Sequence, residues 1–223
     1  MSKTVVSADE YRRARSSLLS EEKAATRLLS SVAEKRRALP MVRLNDPSSF
    51  VFAGPSNRHF TLLDLFQGRR QLIIYFHMPF SPTGVGCGGC SFFSDHIPAG
   101  RVLSHLHSRD TTFAAAAPES VTAVDAFQKR MGWTFPFYSC LDTFTKADEL
   151  GDDITWRPSP GAFRLSCFLR EGDEVFHTYE TTSRGVEVVL STYALLDMTL
   201  LGRQESGEEA KSFRLHDEYT QEG

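Results

Sequence analysis

Cys87-Gly88-Gly89-Cys90 is the stretch of this sequence whose residue types and spacing are equipped for chemistry. Where such a motif opens a helix, its first sulfur lies beside unpaired backbone N–H groups and the positive end of the helix dipole. That setting stabilises thiolate over thiol and lowers the pKa below the ~8.5 of a free cysteine. The second cysteine sits one turn further in, placed to resolve a mixed disulfide. Cys87 is therefore read as nucleophile and Cys90 as resolving thiol, acting on a small-molecule or protein thiol or disulfide with no cofactor. Gly86, Gly88 and Gly89 allow close approach to the pair. Thr83 stands four residues before Cys87 among glycines, rather than the two or three an activating threonine of a peroxidase would need, so disulfide exchange is favoured over peroxide reduction.

Two other chemistries compete for the same residues. A structural zinc site needs two further ligands. No second CxxC exists, and His105 and His107 are two apart, so on a helix they point in opposing directions. Cys140 and Cys167 are solitary, the latter in an apolar strand where a buried inert thiol is expected. Copper stays open, because His77 and Met78 end the run that precedes the motif and would add imidazole to two soft sulfurs. A third reading is a pocket for a small organic metabolite, suggested by 17 Phe around a Gly-rich loop.

The elements that must position the thiols follow from periodicity. Gln71–Phe76 is a continuous apolar run, as a strand buried on both faces requires. The Gly/Pro-rich loop 79–89 follows it, and Cys90–Leu106 reads as a helix. Thr111–Ala117 is a second strand, and Pro118–Met131 a helix with Val121, Val124, Phe127 and Met131 on one face, stopped by Gly132. Trp133–Ser139 is extended. Leu165–Leu169 and Val175–Tyr179 flank a Gly-containing hairpin turn, and Val186–Leu196 is a last helix. Upstream, Val42–Leu44 and Phe50–Phe52 are strands, and Thr61–Phe66 is a capped helical turn closed by Gly68. Leu141–Ala162 reads as an irregular surface excursion. This order describes an α/β protein, a thioredoxin-like mixed sheet flanked by helices.

Ahead of that domain, Ser7-Ala8-Asp9-Glu10 is a capping box. Tyr11, Leu18, Ala25, Val32 and Leu39 then recur every seven residues up to Pro40. This N-terminal helical extension, 1–40, precedes a domain over 41–201 and a polar tail over 202–223. Its apolar stripe is read as facing its own domain, with a homodimer as the alternative. A net charge of −3 and a pI near 6.2 give no reason to expect nucleic-acid binding. No run approaches the ~18–20 apolar residues of a membrane span, and no signal-peptide core opens the chain. Cytoplasmic residence is the expectation, in which a close cysteine pair points to redox or metal chemistry.

The sequence resembles the DUF899 family, thioredoxin-like proteins of unassigned function. The stretches that carry the likeness are Arg69–Tyr75, Gly86–Phe93, Arg130–Pro136, Val175–Tyr179, Leu201–Gln204 and His216–Tyr219. The resemblance implies a thioredoxin-like fold without implying a substrate. It marks Trp133, His177, Tyr179 and Arg184 as substrate-binding candidates, and His216-Asp217 as a pair that could fold back over the site. The family usually has Pro then Ser between its cysteines, whereas here both positions are Gly, which should alter the redox potential. Thioredoxin-like domains also place a cis-proline just before the hairpin strand. Here Phe163 and Arg164 precede Leu165, and Pro160 is the nearest proline.

Overall fold

Gln71–Phe76 forms strand β4 at the middle of the sheet, where apolar side chains on both faces find cover on both sides. The fold is seen in a computed structural model that describes residues 4–97, 101–151, 154–156, 162–205 and 213–219. The chain divides into two compact units, Met1–Pro40 and Met41–Gly223.

In the first unit, helix α1 spans Ala8–Arg37 behind a complete capping box. Ser7 Oγ accepts from the Glu10 N–H, and the Glu10 carboxylate accepts from the Ser7 N–H. Lys35, Arg36 and Arg37 occupy the last turn, at the negative end of the helix dipole. No residue of α1 is buried.

The second unit is built on β1 (Val42–Arg43), β2 (Val51–Gly54), β3 (Arg58–Thr61), β4, β5 (Thr111–Ala117), β6 (Phe137–Ser139), β7 (Arg164–Glu171) and β8 (Glu174–Thr181). Among the described residues they pair in the order β1-β8-β7-β4-β5-β6-β2-β3. β4, β5 and β6 run parallel, and β7 returns antiparallel to β4. The hairpin β7–β8 turns at Gly172, whose φ of +62° suits glycine. Between these strands lie α2 (Leu62–Leu65), α3 (Gly88–Asp95), α4 (Arg101–His107), α5 (Val121–Arg130) and α6 (Leu141–Leu150), and α7 (Ser191–Leu196) follows the hairpin. A strand leading into a CxxC helix, a parallel partner, an antiparallel hairpin and a closing helix make a thioredoxin-like mixed sheet.

Each face of the sheet has its own core. Tyr75, Phe113, Ala115 and Phe137 face Cys90 and Phe93 of α3 and Val124 and Phe127 of α5. Stepping from β4 to β5 to β6 in one direction puts both crossovers on this one face. Leu72, Ile74, Phe76 and Ala114 look the other way, onto Leu62 and Leu65 of α2, Cys140 and Trp156.

Several elements differ from the sequence expectation. Residues 141–150 are not irregular: they form α6, which buries Thr143 and Ala147, and Trp156 beyond it is only 2% exposed. The helix expected over Cys90–Leu106 is two, since α3 is capped at His96 before Pro98 disfavours a helical conformation for its neighbour. The helix expected over Val186–Leu196 is a 3-10 stretch, Ser183–Val189, followed by the short α7. β3 went unread because Arg58-His59-Phe60-Thr61 is a polar edge with little alternation. Among the described residues, no helix is long and apolar enough to cross a membrane.

Candidate active site

Cys87 occupies the N-cap of α3, with φ −58° and ψ 130°, at the end of the helix where the first-turn N–H groups are unpaired, and makes no directed capping hydrogen bond of its own. The Cys90 thiol donates to the Cys87 sulfur, and the backbone N–H groups of Gly89 and Cys90 face it. These contacts, the thiol first, outweigh burial and lower the Cys87 pKa to about 5. Cys90 is buried, and both its hydrogen bond to Cys87 and its burial push its own pKa upward. The Met78 N–H donates to the Cys90 sulfur at 3.5 Å. The Tyr75 hydroxyl is buried beside Cys90 without a directed hydrogen bond to it, and burial raises its pKa well above the usual phenol value. One cysteine is thus held as a half-buried thiolate and its neighbour as a buried thiol, the division of labour that exchange chemistry needs.

Around the pair the side chains are mostly aromatic. Tyr75 lies flat on Phe93 at 3.8 Å between ring centroids. His77 is 1% exposed and its Nε2 pairs with Ser94 Oγ at 2.9 Å, while burial lowers its pKa to about 3. The other ring nitrogen, Nδ1, is buried without a hydrogen-bond partner, and His77 does not join the two cysteines in a cluster able to hold copper. Among the described residues, no three His, Cys, Asp or Glu side chains come together to hold a metal ion.

Of the four substrate-binding candidates, the structure brings two near the CxxC helix. Trp133 is on the same face of the sheet and donates from Nε1 to Asp95 Oδ1 at 2.8 Å, which anchors it to the end of α3. Arg184 lines a cavity of ≈ 490 Å³ that also meets Gly89, Tyr75, Phe92, Phe93, Phe163, Tyr193 and Phe213. His177 goes to the other side. A register shift between Cys167 and Phe168 pairs Tyr179 with Cys167 but His177 with Phe168, so the histidine looks into the core opposite the cysteines. There it contacts Phe168 and pairs with Thr155 Oγ1 at 2.7 Å, and burial lowers its pKa to about 4. Tyr179 stays opposite Cys167, two strands out from β4 on the hairpin, and is not among the cavity residues. Cys140 and Cys167 are pushed up in pKa by burial, Cys167 to about 11. Pro160 lies outside the described residues.

The polar tail supplies what sequence reasoning largely missed. Residues 213–219 return to α3 as a strap. Phe213 lies on Phe92 at 4.7 Å and an interplanar angle of 21°, and Leu215 is 2% exposed in the Cys90 core. His216 Nδ1 meets the same Asp95 Oδ1 that holds Trp133, at 2.9 Å. Arg130 grips Asp217 through two hydrogen bonds of 2.8 and 3.0 Å and reaches Glu218 at 3.0 Å. His216-Asp217 therefore does fold back, but as a fastening of the strap rather than an orienting pair at the sulfur. The signal in the sequence was Phe213 and Leu215, two apolar residues in an otherwise polar tail.

The strap accounts for one of the two spacer glycines. A Cβ on Gly88 would stand 2.0 Å from the Phe213 carbonyl oxygen, a backbone atom, whereas one on Gly89 would meet Phe213 Cδ2 at 3.6 Å and Cys87 Sγ at 3.9 Å. Gly88→Ala is therefore expected to displace 213–219, seen as faster amide exchange at Leu215 and Glu218. Gly89→Ala, making only ordinary contacts, should leave those amides protected.

Two solved structures share part of this layout. A cysteine-to-serine mutant of Xylella fastidiosa PrxQ is 17% identical, with 70% of this chain and 94% of that one covered and a TM-score of 0.43. A mutant of Xanthomonas campestris peroxiredoxin Q is also 17% identical, covering 70% and 99% at a TM-score of 0.44. At these scores the fold stands on its own strand order. No curated protein matches the chain. A family model described as "Bacterial protein of unknown function" matches residues 1–219, and the chain belongs to that family, DUF899.

Proposed function

We propose that the protein is a thiol-disulfide oxidoreductase in which Cys87 attacks and Cys90 resolves. The observation that carries this reading is the unequal state of the two sulfurs: Cys87 ionised at the start of α3 with a pKa of about 5, Cys90 protonated and buried behind it. Structural cysteines have no such asymmetry; Cys140 and Cys167 are both pushed upward by burial. In the exchange, the Cys87 thiolate attacks one sulfur of R–S–S–R, forming Cys87–S–S–R and releasing RS⁻. Cys90 then attacks the Cys87 sulfur, closing the Cys87–Cys90 disulfide and releasing the second thiol, while the Cys90 proton passes to a released thiolate. Two electrons leave the dithiol, and one thiol and one thiolate are released, the thiolate taking any further proton from solvent.

Mass spectrometry of single-turnover reactions tests this. Cys90→Ser should accumulate a mixed disulfide on Cys87, the wild type should pass to an intramolecular disulfide, and Cys87→Ser should do neither. Undiminished reaction in Cys87→Ser would remove the proposal.

A further inference from the structure

Resting on that dithiol reading, we propose that the pair takes small, uncharged aromatic disulfides from the cavity walled by Tyr75, Phe92, Phe93, Phe163, Tyr193 and Phe213, and that the strap 213–219 keeps polypeptide disulfides away. The cavity wall does not itself include either cysteine, but it includes a neighbour of each. Gly89, whose N–H faces the Cys87 sulfur, and Tyr75, which lies against Cys90, are both in its wall. Its ≈ 490 Å³ falls within the range of small-molecule sites and is bounded chiefly by rings, with Val186 and Leu190 beside them. Rings stack on rings in offset or edge-on geometry, so planar aromatic groups are the best-matched occupants.

The charges nearby select against ionic groups. Arg184 and Arg203 both already meet Glu187, each at 3.2 Å, and Arg203 holds Asp197 as well. The Glu205 carboxylate is hydrogen-bonded by the Tyr193 hydroxyl. An anionic ligand would compete with Glu187 for these guanidiniums and would meet the Glu187 and Glu205 carboxylates in the wall, while an uncharged one leaves the pairs as they are.

Polypeptides are screened by the strap. A chain reaching Cys87 across its spacer would lie over Gly88, where the Phe213 carbonyl already sits within 2.0 Å of a would-be Cβ. Phe213 also covers the flank of Gly89. The strap is held from below by Leu215 and from the side by Asp95 and Arg130, so this cover is part of the folded protein. A small disulfide entering by the cavity does not have to displace it.

The test uses reduced full-length protein and three probes: dithiodipyridine (uncharged, aromatic), hydroxyethyl disulfide (uncharged, aliphatic) and insulin. Each rate is divided by that of free cysteine with the same disulfide, which removes intrinsic reactivity. The wild type should favour dithiodipyridine over each of the others by about tenfold or more, the scale of discrimination an apolar pocket provides. Arg130→Glu turns an attraction for Asp217 and Glu218 into repulsion, and Leu215→Asp places a charge where the strap is buried. Either should raise the insulin rate by about tenfold as the strap lifts. Equal normalised rates in the wild type, or no gain with insulin in both variants, would overturn the proposal. A Cys87 that forms no adduct with any probe, even in Cys90→Ser, would instead bring down the dithiol reading beneath it.

Discussion

Alkylation of Cys87 is expected to titrate with its midpoint at about pH 5, leaving thiolate in roughly hundredfold excess at neutral pH. The largest cause of that shift is the hydrogen bond from Cys90, so Cys90→Ala should carry the midpoint upward, toward the ~8.5 of an unperturbed thiol. The rate at pH 6 then falls, though by less than the loss of thiolate, because a more basic sulfur is also a better nucleophile; the net drop is up to about tenfold. Iodoacetamide labelling followed by peptide mass spectrometry reads both quantities. A midpoint that stays near 8 in the wild type would show that α3 does not stabilise the thiolate. Linkage gives the same groups a signature in stability. Cys87 has a depressed folded pKa, so its contribution is complete above the unfolded value and is lost as pH falls through about 5. Cys90 has a raised one, so above its unfolded value the folded state is penalised for keeping the proton. The thermal midpoint of the reduced protein, referred to that of Cys87→Ser, should rise with pH between about 5 and 8.5.

Trp156→Ala should be the most damaging single substitution away from the cysteines. The ring is 2% exposed and wedged among Phe50 at 5.0 Å, Phe76 at 5.7 Å and Phe168 at 5.6 Å. Removing it leaves a cavity between the sheet and the segment after α6, at a cost of about 3–5 kcal/mol. Chemical denaturation should show this as a large fall in midpoint with little change in slope. Leu141→Ala, on the same segment but 46% exposed, should change stability by no more than about 0.5 kcal/mol. Equal effects at the two positions would mean that the 141–156 segment does not pack as described.

That contrast marks where sequence legibility stopped. β4, β5 and the hairpin were readable because their apolar runs are dense and their turns carry glycine, all within a few residues. The position of Cys87 at the start of a helix followed from the same local logic. α6 was hidden because Thr143, Thr145 and Asp142 dilute its stripe; yet Phe144, Ala147 and Leu150 recur at helical spacing. His177 was misplaced for a different reason. Strict alternation puts it on the same face as Tyr179, and only pairing with β7 reveals the extra residue, Thr178, that separates them. The strap is a wholly non-local feature. Its Phe213 lies more than 120 residues from Phe92 along the chain, and although Phe213 and Leu215 stand out in a polar tail, nothing near either residue names the partner.

The hydrogen bond between the two sulfurs also imposes a temporal order on the proposed exchange. While Cys87 is a thiolate, it holds the Cys90 proton in place and repels a second negative charge, and these effects together with burial keep Cys90 unreactive. Once Cys87 is joined to a substrate sulfur, its charge is gone and the largest of those effects goes with it. Cys90 can then ionise, but His77, whose pKa burial lowers to about 3, is a poor acceptor for the proton. The second sulfur is thus armed by the first having fired, and the departing thiolate is itself the acceptor that lets the cycle close.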